Sequence, residues 1–159
     1  MKKILFLLIV AGVIAKWDSV STLLNIGESR GEYALGHYQS ERWFYGHQGY
    51  QEARRLSQEQ KVPMFIYIYA DWCKYCKQFD ASLLKDPAVQ KHLSQFVKVR
   101  INPEYNDENN AIGKRLRVNG YPSIFADFGN HEPEDLKGPF TKKSGQWAMM
   151  DPDTFIDLL

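Results

Sequence analysis

The chain of 159 residues holds two cysteines, and they stand two residues apart in the run Ala70-Asp71-Trp72-Cys73-Lys74-Tyr75-Cys76-Lys77. Thiols at that spacing fit on one helical turn, where they can close and reopen a disulfide. A helix that begins at Cys73 would offer it unpaired backbone N–H groups and the positive end of the helix dipole. Both favour the thiolate, which is the nucleophile of disulfide exchange. Cys73 is therefore the candidate attacking thiol, and Cys76, about one turn deeper, is the candidate resolving thiol. Lys74 and Lys77 push the thiol pKa down further, while Asp71 opposes them. Asp80 follows Cys76 by four residues, on the same helix face. There a carboxylate can take the proton that Cys76 loses, or it can be a solvated surface charge.

Other uses of the pair are less well supported. Haem attachment needs His directly after the second cysteine, and that residue is Lys77. A structural zinc site needs four ligands, and the chain has no second cysteine pair. The histidines His37, His47, His92 and His131 lack a ligand spacing and read as surface or loop residues. A structural staple across so short a loop constrains the unfolded chain weakly. The expectation is no metal and no cofactor beyond a redox-active Cys73–Cys76 disulfide.

The elements that must position these residues can be traced on both sides. A weakly amphipathic helix is expected over 50–60, then Pro63 and a buried strand over 64–69. The cysteine motif opens a helix over 73–84, broken at Asp86-Pro87, with a short continuation over 88–93. A strand over 96–101, a helix over 107–116 and a strand over 123–128 follow, the last after Gly120-Tyr121-Pro122. Residues 129–147 are polar and turn-rich, with at most one further strand. A final helix is capped by Asp151 or Asp153. Alternating strands and helices predict an α/β fold with a central mixed β-sheet flanked by helices.

With 20 basic and 19 acidic side chains, the chain has no electrostatic footprint for nucleic acid. Its N-terminus has a distinct character. Lys2 and Lys3 precede a run of apolar or small residues from Ile4 to Ala15. That run would span ~18 Å as a helix, short of the ~30 Å hydrocarbon core. Residues 1–21 thus read as a signal peptide or N-terminal membrane anchor, and they supply the expected membrane contact. Residues 22–49 read as a spacer that ends in an aromatic packing segment, and 50–159 as the folded domain.

The apolar strand, the Trp72-Cys73-Lys74-Tyr75-Cys76-Lys77 run and Gly120-Tyr121-Pro122 together resemble the thioredoxin superfamily. They are similar in particular to the C-terminal periplasmic thioredoxin-like domain of the disulfide-interchange reductase DsbD. That domain has a comparable Tyr-Ala-Asp-Trp-Cys-x-x-Cys-Lys run followed by Phe and an acidic residue, matched here by Phe79 and Asp80. The resemblance implies a thioredoxin-like fold, a cis-proline at Pro122 facing the cysteines, and substrate contacts from Tyr121 and Trp72. One departure stands out: the buried Asp expected six residues before the first cysteine is replaced by Tyr67, which shifts interest to Asp80.

The expected function is an exported thiol–disulfide oxidoreductase, periplasmic or otherwise extracytoplasmic, with or without a membrane anchor, and favoured as a reductase. Its partners would be cysteine-containing proteins and a thiol redox partner, with a membrane electron donor among the candidates. Two alternatives use the same residues: a tethered binding module without redox turnover, and a soft-metal chaperone. No Met or His cluster accompanies the pair to support the second.

Overall fold

The computed structural model describes residues 33–129 and 132–159. The export segment expected at 1–21, the first part of the 22–49 spacer and His131 lie outside the described residues. Strand β2 (Met64–Ile68) is buried along its whole length. Although every residue is apolar or aromatic, its side chains still alternate between two cores. Phe65 and Tyr67 pack with Phe79, Leu83, Val89 and Phe155, while Met64, Ile66 and Ile68 pack with Tyr50, Ala53 and Ile112. Two covered faces are what a continuous apolar strand requires.

Around β2 the sheet runs in the order β1-β3-β2-β4-β5. Strand β3 (Val97–Ile101) lies parallel to β2 with Ile101 opposite Ile68. Strand β4 (Ser123–Asp127) lies antiparallel with Ser123 opposite Ile68. Strands β1 (Trp43–Tyr45) and β5 (Glu134–Asp135) form the edges. Between the strands run helices α1 (Gly46–Gln60), α2 (Lys74–Ala81), α3 (Pro87–Leu93) and α4 (Asp107–Arg115), with a 3-10 turn at Leu83–Lys85. Helix α5 (Pro152–Ile156) closes the chain. This is the mixed sheet flanked by helices that the alternation of patterns predicted.

Local chemistry accounts for the helix starts. Asp86 accepts from the backbone N–H groups of Ala88 and Val89 at 2.8 and 3.2 Å, with Pro87 in the first helical turn. Asn106 caps α4 through Asn109, and Asp151 rather than Asp153 caps α5 through Thr154. None of the described helices is long and apolar enough to cross a membrane.

Two segments differ from the sequence reading. The aromatic segment ahead of residue 50 does more than pack against the domain: Trp43–Tyr45 adds an edge strand, and α1 starts at Gly46. Beyond β4, where at most one strand was expected, the chain forms β5 and then a hairpin, β6 (Phe140–Lys143) with β7 (Gln146–Met149). Its two-residue turn has positive φ at both positions, 51° at Ser144 and 82° at Gly145. That conformation matches the natural twist of paired strands, so a Ser-Gly step in a polar stretch closes a hairpin.

Lys98 is buried in β3, and its ammonium group donates to the carbonyls of Ser40 and Leu93. Burial pulls its pKa below the ordinary value, while Glu41 raises it. His92 has a buried Nε2 without a partner among the described residues, and burial holds its pKa below 6.5. The unfolded chain then binds this proton more readily than the fold does. The stability in question is present above pH 6.5 and is lost as the pH falls below it.

Two outcomes test this packing. Phe155, fully buried and edge-on to Phe65 and Phe79, should cost about 3–5 kcal/mol on Phe155→Ala in urea denaturation. The loss of stability between about pH 7.5 and about pH 5.5 should be smaller in His92→Gln than in the wild type.

Candidate active site

The disulfide sits where β2 hands over to α2. Cys73 and Cys76 are bonded to each other, with Cα atoms 5.2 Å apart, and both are nearly inaccessible at 3% and 1% exposure. Cys73 is the N-cap of α2 in extended conformation, and its sulfur accepts the backbone N–H of Cys76 at 3.0 Å. On reduction that N–H and the helix end are already aimed at the Cys73 sulfur, where they favour its thiolate. Lys74 and Lys77 are exposed on the first turns of the same helix.

Trp72 is 67% exposed, yet it is held on two sides. Its indole N–H donates to the Glu104 carboxylate at 2.9 and 3.1 Å, and its ring stands edge-on to Tyr121 at 5.8 Å. Tyr105 donates to both oxygens of Asp71 at 3.0 Å, which ties down the residue before Trp72. The Tyr121–Pro122 peptide is cis. On the other side of the disulfide, Tyr75 stacks edge-on with Phe140 of β6 at 5.1 Å. Tyr75, Tyr121, Pro122, Phe140 and Trp147 line a groove of about 360 Å³. A separate cavity of about 740 Å³, at the ends of β1 and β3, includes neither cysteine.

Beneath the disulfide the charges are arranged differently from the sequence reading. Asp80 is ion-paired there: its Oδ2 accepts from Arg100 of β3 at 2.8 Å. Contact is through one atom on each side, so Asp80 Oδ1 and Arg100 Nε are both buried without hydrogen-bond partners among the described residues. The guanidinium lies 4.8 Å from the ring centres of Tyr67 and Tyr69. Tyr67 is fully buried, and its hydroxyl donates to the Cys76 carbonyl at 3.4 Å. Burial first, then the Asp80 charge, drives the Tyr67 pKa far above its ordinary value, so this phenol stays a donor. Tyr69 is pushed up to about 12, again chiefly by burial.

The structure thus gathers Cys73, Cys76, Trp72, Tyr121 and Pro122 around one site and places Asp80 below it, paired. Sequence reasoning missed Arg100, Glu104, Tyr105 and Phe140. Arg100, Glu104 and Tyr105 sit at or just past the end of parallel strand β3, and the carboxyl ends of such strands are where α/β sheets assemble their sites.

Fold and site define a class, the thioredoxin-like proteins that carry a Cys-x-x-Cys disulfide at the start of a helix. The chain belongs to the thioredoxin-like family, whose sequence profile matches residues 46–126, or 81 of the 159 residues. Among curated relatives, it is 43% identical over 63 residues to the thiol:disulfide interchange protein DsbD of Pectobacterium atrosepticum, covering 39% of this chain and 11% of that protein. To the DsbD of Haemophilus influenzae strain PittEE it is 31% identical over 107 residues, covering 67% and 17%. The chain therefore spans less than a fifth of these relatives. Among solved structures, the oxidised C-terminal domain of Neisseria meningitidis DsbD is 22% identical, with 73% of this chain and 95% of that one covered at a TM-score of 0.52. A thioredoxin from Thermus thermophilus is also 22% identical, covering 73% and 82% at 0.50. The two structures share the fold.

The half-buried Asp80–Arg100 pair makes a stability prediction. Arg100→Met should cost about 1–3 kcal/mol by chemical denaturation, because it strands a carboxylate in a low-dielectric site. Asp80→Asn should cost less. The double variant should fall short of the sum of the two by roughly 0.5 kcal/mol or more.

Proposed function

We propose that the protein is an exported thiol–disulfide oxidoreductase that works as a reductase on cysteine-containing proteins. The observation that carries this reading is the Cys73–Cys76 pair at the start of α2, with the Cys76 N–H on the Cys73 sulfur and Trp72 and Tyr75 on either side. In the reduced protein, the Cys73 thiolate attacks a substrate disulfide and expels one substrate sulfur as thiolate. Cys76 then loses its proton and attacks Cys73 in the mixed disulfide. That step releases the second substrate sulfur and closes the Cys73–Cys76 bond. Two electrons pass to the substrate, whose thiolates take protons from water. A thiol partner, such as a membrane electron donor, attacks the closed disulfide and restores both thiols, so no bound cofactor is needed.

Each remaining residue has a place in this scheme. Asp80 receives the Cys76 proton, while Lys74 and Lys77 favour the Cys73 thiolate. Trp72, Tyr121 and Pro122 hold the substrate segment beside the disulfide. Reductase direction is supported by the likeness of the motif to that of DsbD. Periplasmic location is supported by Lys2, Lys3 and the apolar run Ile4–Ala15, whether this segment is cleaved or anchors the chain.

The full chain should reduce insulin disulfides in the presence of dithiothreitol, and Cys73→Ser should fall to the uncatalysed rate. Cys76→Ala, lacking the resolving thiol, should accumulate mixed disulfides at Cys73 in the native compartment. Equal rates for the wild type and Cys73→Ser would overturn the proposal. Partner binding that survives loss of both cysteines, without turnover, would favour a binding module instead.

A further inference from the structure

Arg100 is shared by two places in the fold: it pairs with Asp80 beneath the disulfide, and it lines the cavity at the ends of β1 and β3. Strands β1, β3 and β2 are parallel neighbours in that order. At their carboxyl ends the chain leaves in two directions. After β2 it turns to α2 and α3, which pack with Phe65 and Tyr67 on one face of the sheet. After β1 and β3 it turns to α1 and α4, which pack with Ile66 and Ile68 on the other. The connections thus diverge between β3 and β2, and the crevice at such a switch point is where open α/β sheets take their ligands. The cavity opens there, lined by residues 45–48 at the end of β1, Tyr69 after β2, Arg100, and the turn and helix start after β3. Its volume of about 740 Å³ falls within the ~300–1,000 Å³ of small-molecule clefts.

The walls of this cavity are held by specific contacts. Asn109 is buried; its Oδ1 accepts the His47 N–H at 2.6 Å, and its side-chain amide donates to the Asn102 carbonyl at 3.0 Å. One buried side chain therefore ties the start of α1 to the turn between β3 and α4. Gly46 permits that approach: its φ is 62°, and a Cβ there would stand 3.3 Å from Asn109 Oδ1. Tyr105 is held by its hydroxyl on Asp71 and by its ring, edge-on to Tyr69 at 6.5 Å. Even so, Tyr105 is 60% exposed, as Tyr45 is at 61%, so two phenol rings stand open at the cavity.

The polar groups that remain define what fits. Asn102 and Asn106 use their side-chain oxygens on the N–H groups of Glu104 and Asn109. Their amide nitrogens, and the whole Gln48 amide, line the cavity without a partner among the described residues. Charge in the lining is balanced: Arg100 is already met by Asp80, and Glu108 is the carboxylate among the lining side chains. An anion would face Glu108, and a cation would face Arg100. A wholly apolar ligand would strand the amides. Flat amides beside open phenol rings suit a ligand that is apolar on its faces and hydroxylated around its rim. A pyranose ring has that form: its C–H faces lie on aromatic rings, and its hydroxyls both donate and accept. We propose that this cavity is a binding site for an uncharged sugar, with pyranose rings against Tyr45 and Tyr105 and hydroxyls on Gln48, Asn102 and Asn106. Neither cysteine lines it, so the site stands apart from the exchange chemistry proposed above.

The full chain is titrated with cellobiose, maltose and diacetylchitobiose by saturation-transfer NMR and calorimetry. Glucuronate, glucosamine and inorganic phosphate serve as charged probes. At least one neutral disaccharide should bind, more tightly than any charged probe, with an affinity that does not change between low and high salt. Tyr45→Ala and Gln48→Ala alter exposed side chains, and each should weaken that binding by about tenfold while circular dichroism shows the fold retained. Glu108→Gln should bind the sugar as the wild type does. Absence of binding by all three disaccharides at the limit of their solubility overturns the proposal. So does binding that Tyr45→Ala and Gln48→Ala both leave intact, which would place the sugar elsewhere on the protein. Salt-sensitive binding of phosphate or glucuronate that Glu108→Gln strengthens, without neutral sugar, would make the cavity an anion site and also overturn it. Insulin reduction by the same preparation reads the exchange chemistry separately, so the failure of either leaves the other decided.

Discussion

The register of β2 is the constraint on which the rest of the site depends. Its last residue, Ile68, pairs with Ile101 on one side and Ser123 on the other. The parallel pairing with β3 brings the turn holding Glu104 and Tyr105 alongside Asp71 and Trp72. The antiparallel pairing with β4 delivers Tyr121-Pro122 to the same end of the sheet. A shift of one residue would turn Tyr67 and Phe65 to the opposite core and carry both loops away from the disulfide. Hydrogen bonding along one fully buried strand thus sets the distance between thiols and proline loop, and neither loop needs to be rigid by itself.

Beneath that end of the sheet, the polar groups form a compact arrangement around Arg100. The guanidinium neutralises Asp80, lies over Tyr67 and Tyr69, and reaches both from β3, the neighbouring strand. An unpaired carboxylate four residues after Cys76 on the same helix would disfavour the thiolate by like-charge repulsion. With Arg100 in place the pair is close to neutral as a unit, and Asp80 Oδ1 stays open as an acceptor. Tyr67 complements this by donating to the Cys76 carbonyl and keeping its proton. A donor phenol and a paired carboxylate thus occupy the space where the family resemblance leads one to expect a single buried acid.

Much of this was legible in the residues and some was not, for identifiable physical reasons. The strand at 64–68 announces itself because burial on both faces demands a continuous apolar run, while those at 97–101 and 123–127 show as β-branched or aromatic residues interleaved with or flanked by polar ones. The start of α2 is visible from the cysteine spacing. Strand β1 is three residues long, too short for a periodic signal, and it is a strand because β3 offers it an edge. The hairpin has four residues per strand, partly buried at its base and exposed at its tip rather than alternating, and lies in a polar stretch, so Ser144-Gly145 reads as one turn among several. The Arg100–Asp80 pair links residues twenty apart, which no local pattern reports. Asp80 was singled out by its spacing from Cys76, but its partner depends on the sheet.

The burial of both sulfurs has a consequence for how a disulfide of this kind is opened. Thiol–disulfide exchange is a displacement in which the incoming sulfur, the attacked sulfur and the leaving sulfur lie nearly on one line. A thiolate that reduces the closed form must arrive along the extension of the Cys76–Cys73 axis. With Cys73 3% and Cys76 1% exposed, the solid angle from which that line can be entered is narrow. A thiol presented on a slender, flexible stretch of chain can thread it, while one set in a broad convex surface is stopped by contact before the sulfurs meet. In the exchange proposed above, encounter shape would therefore filter thiol donors kinetically, ahead of any difference in reduction potential between them.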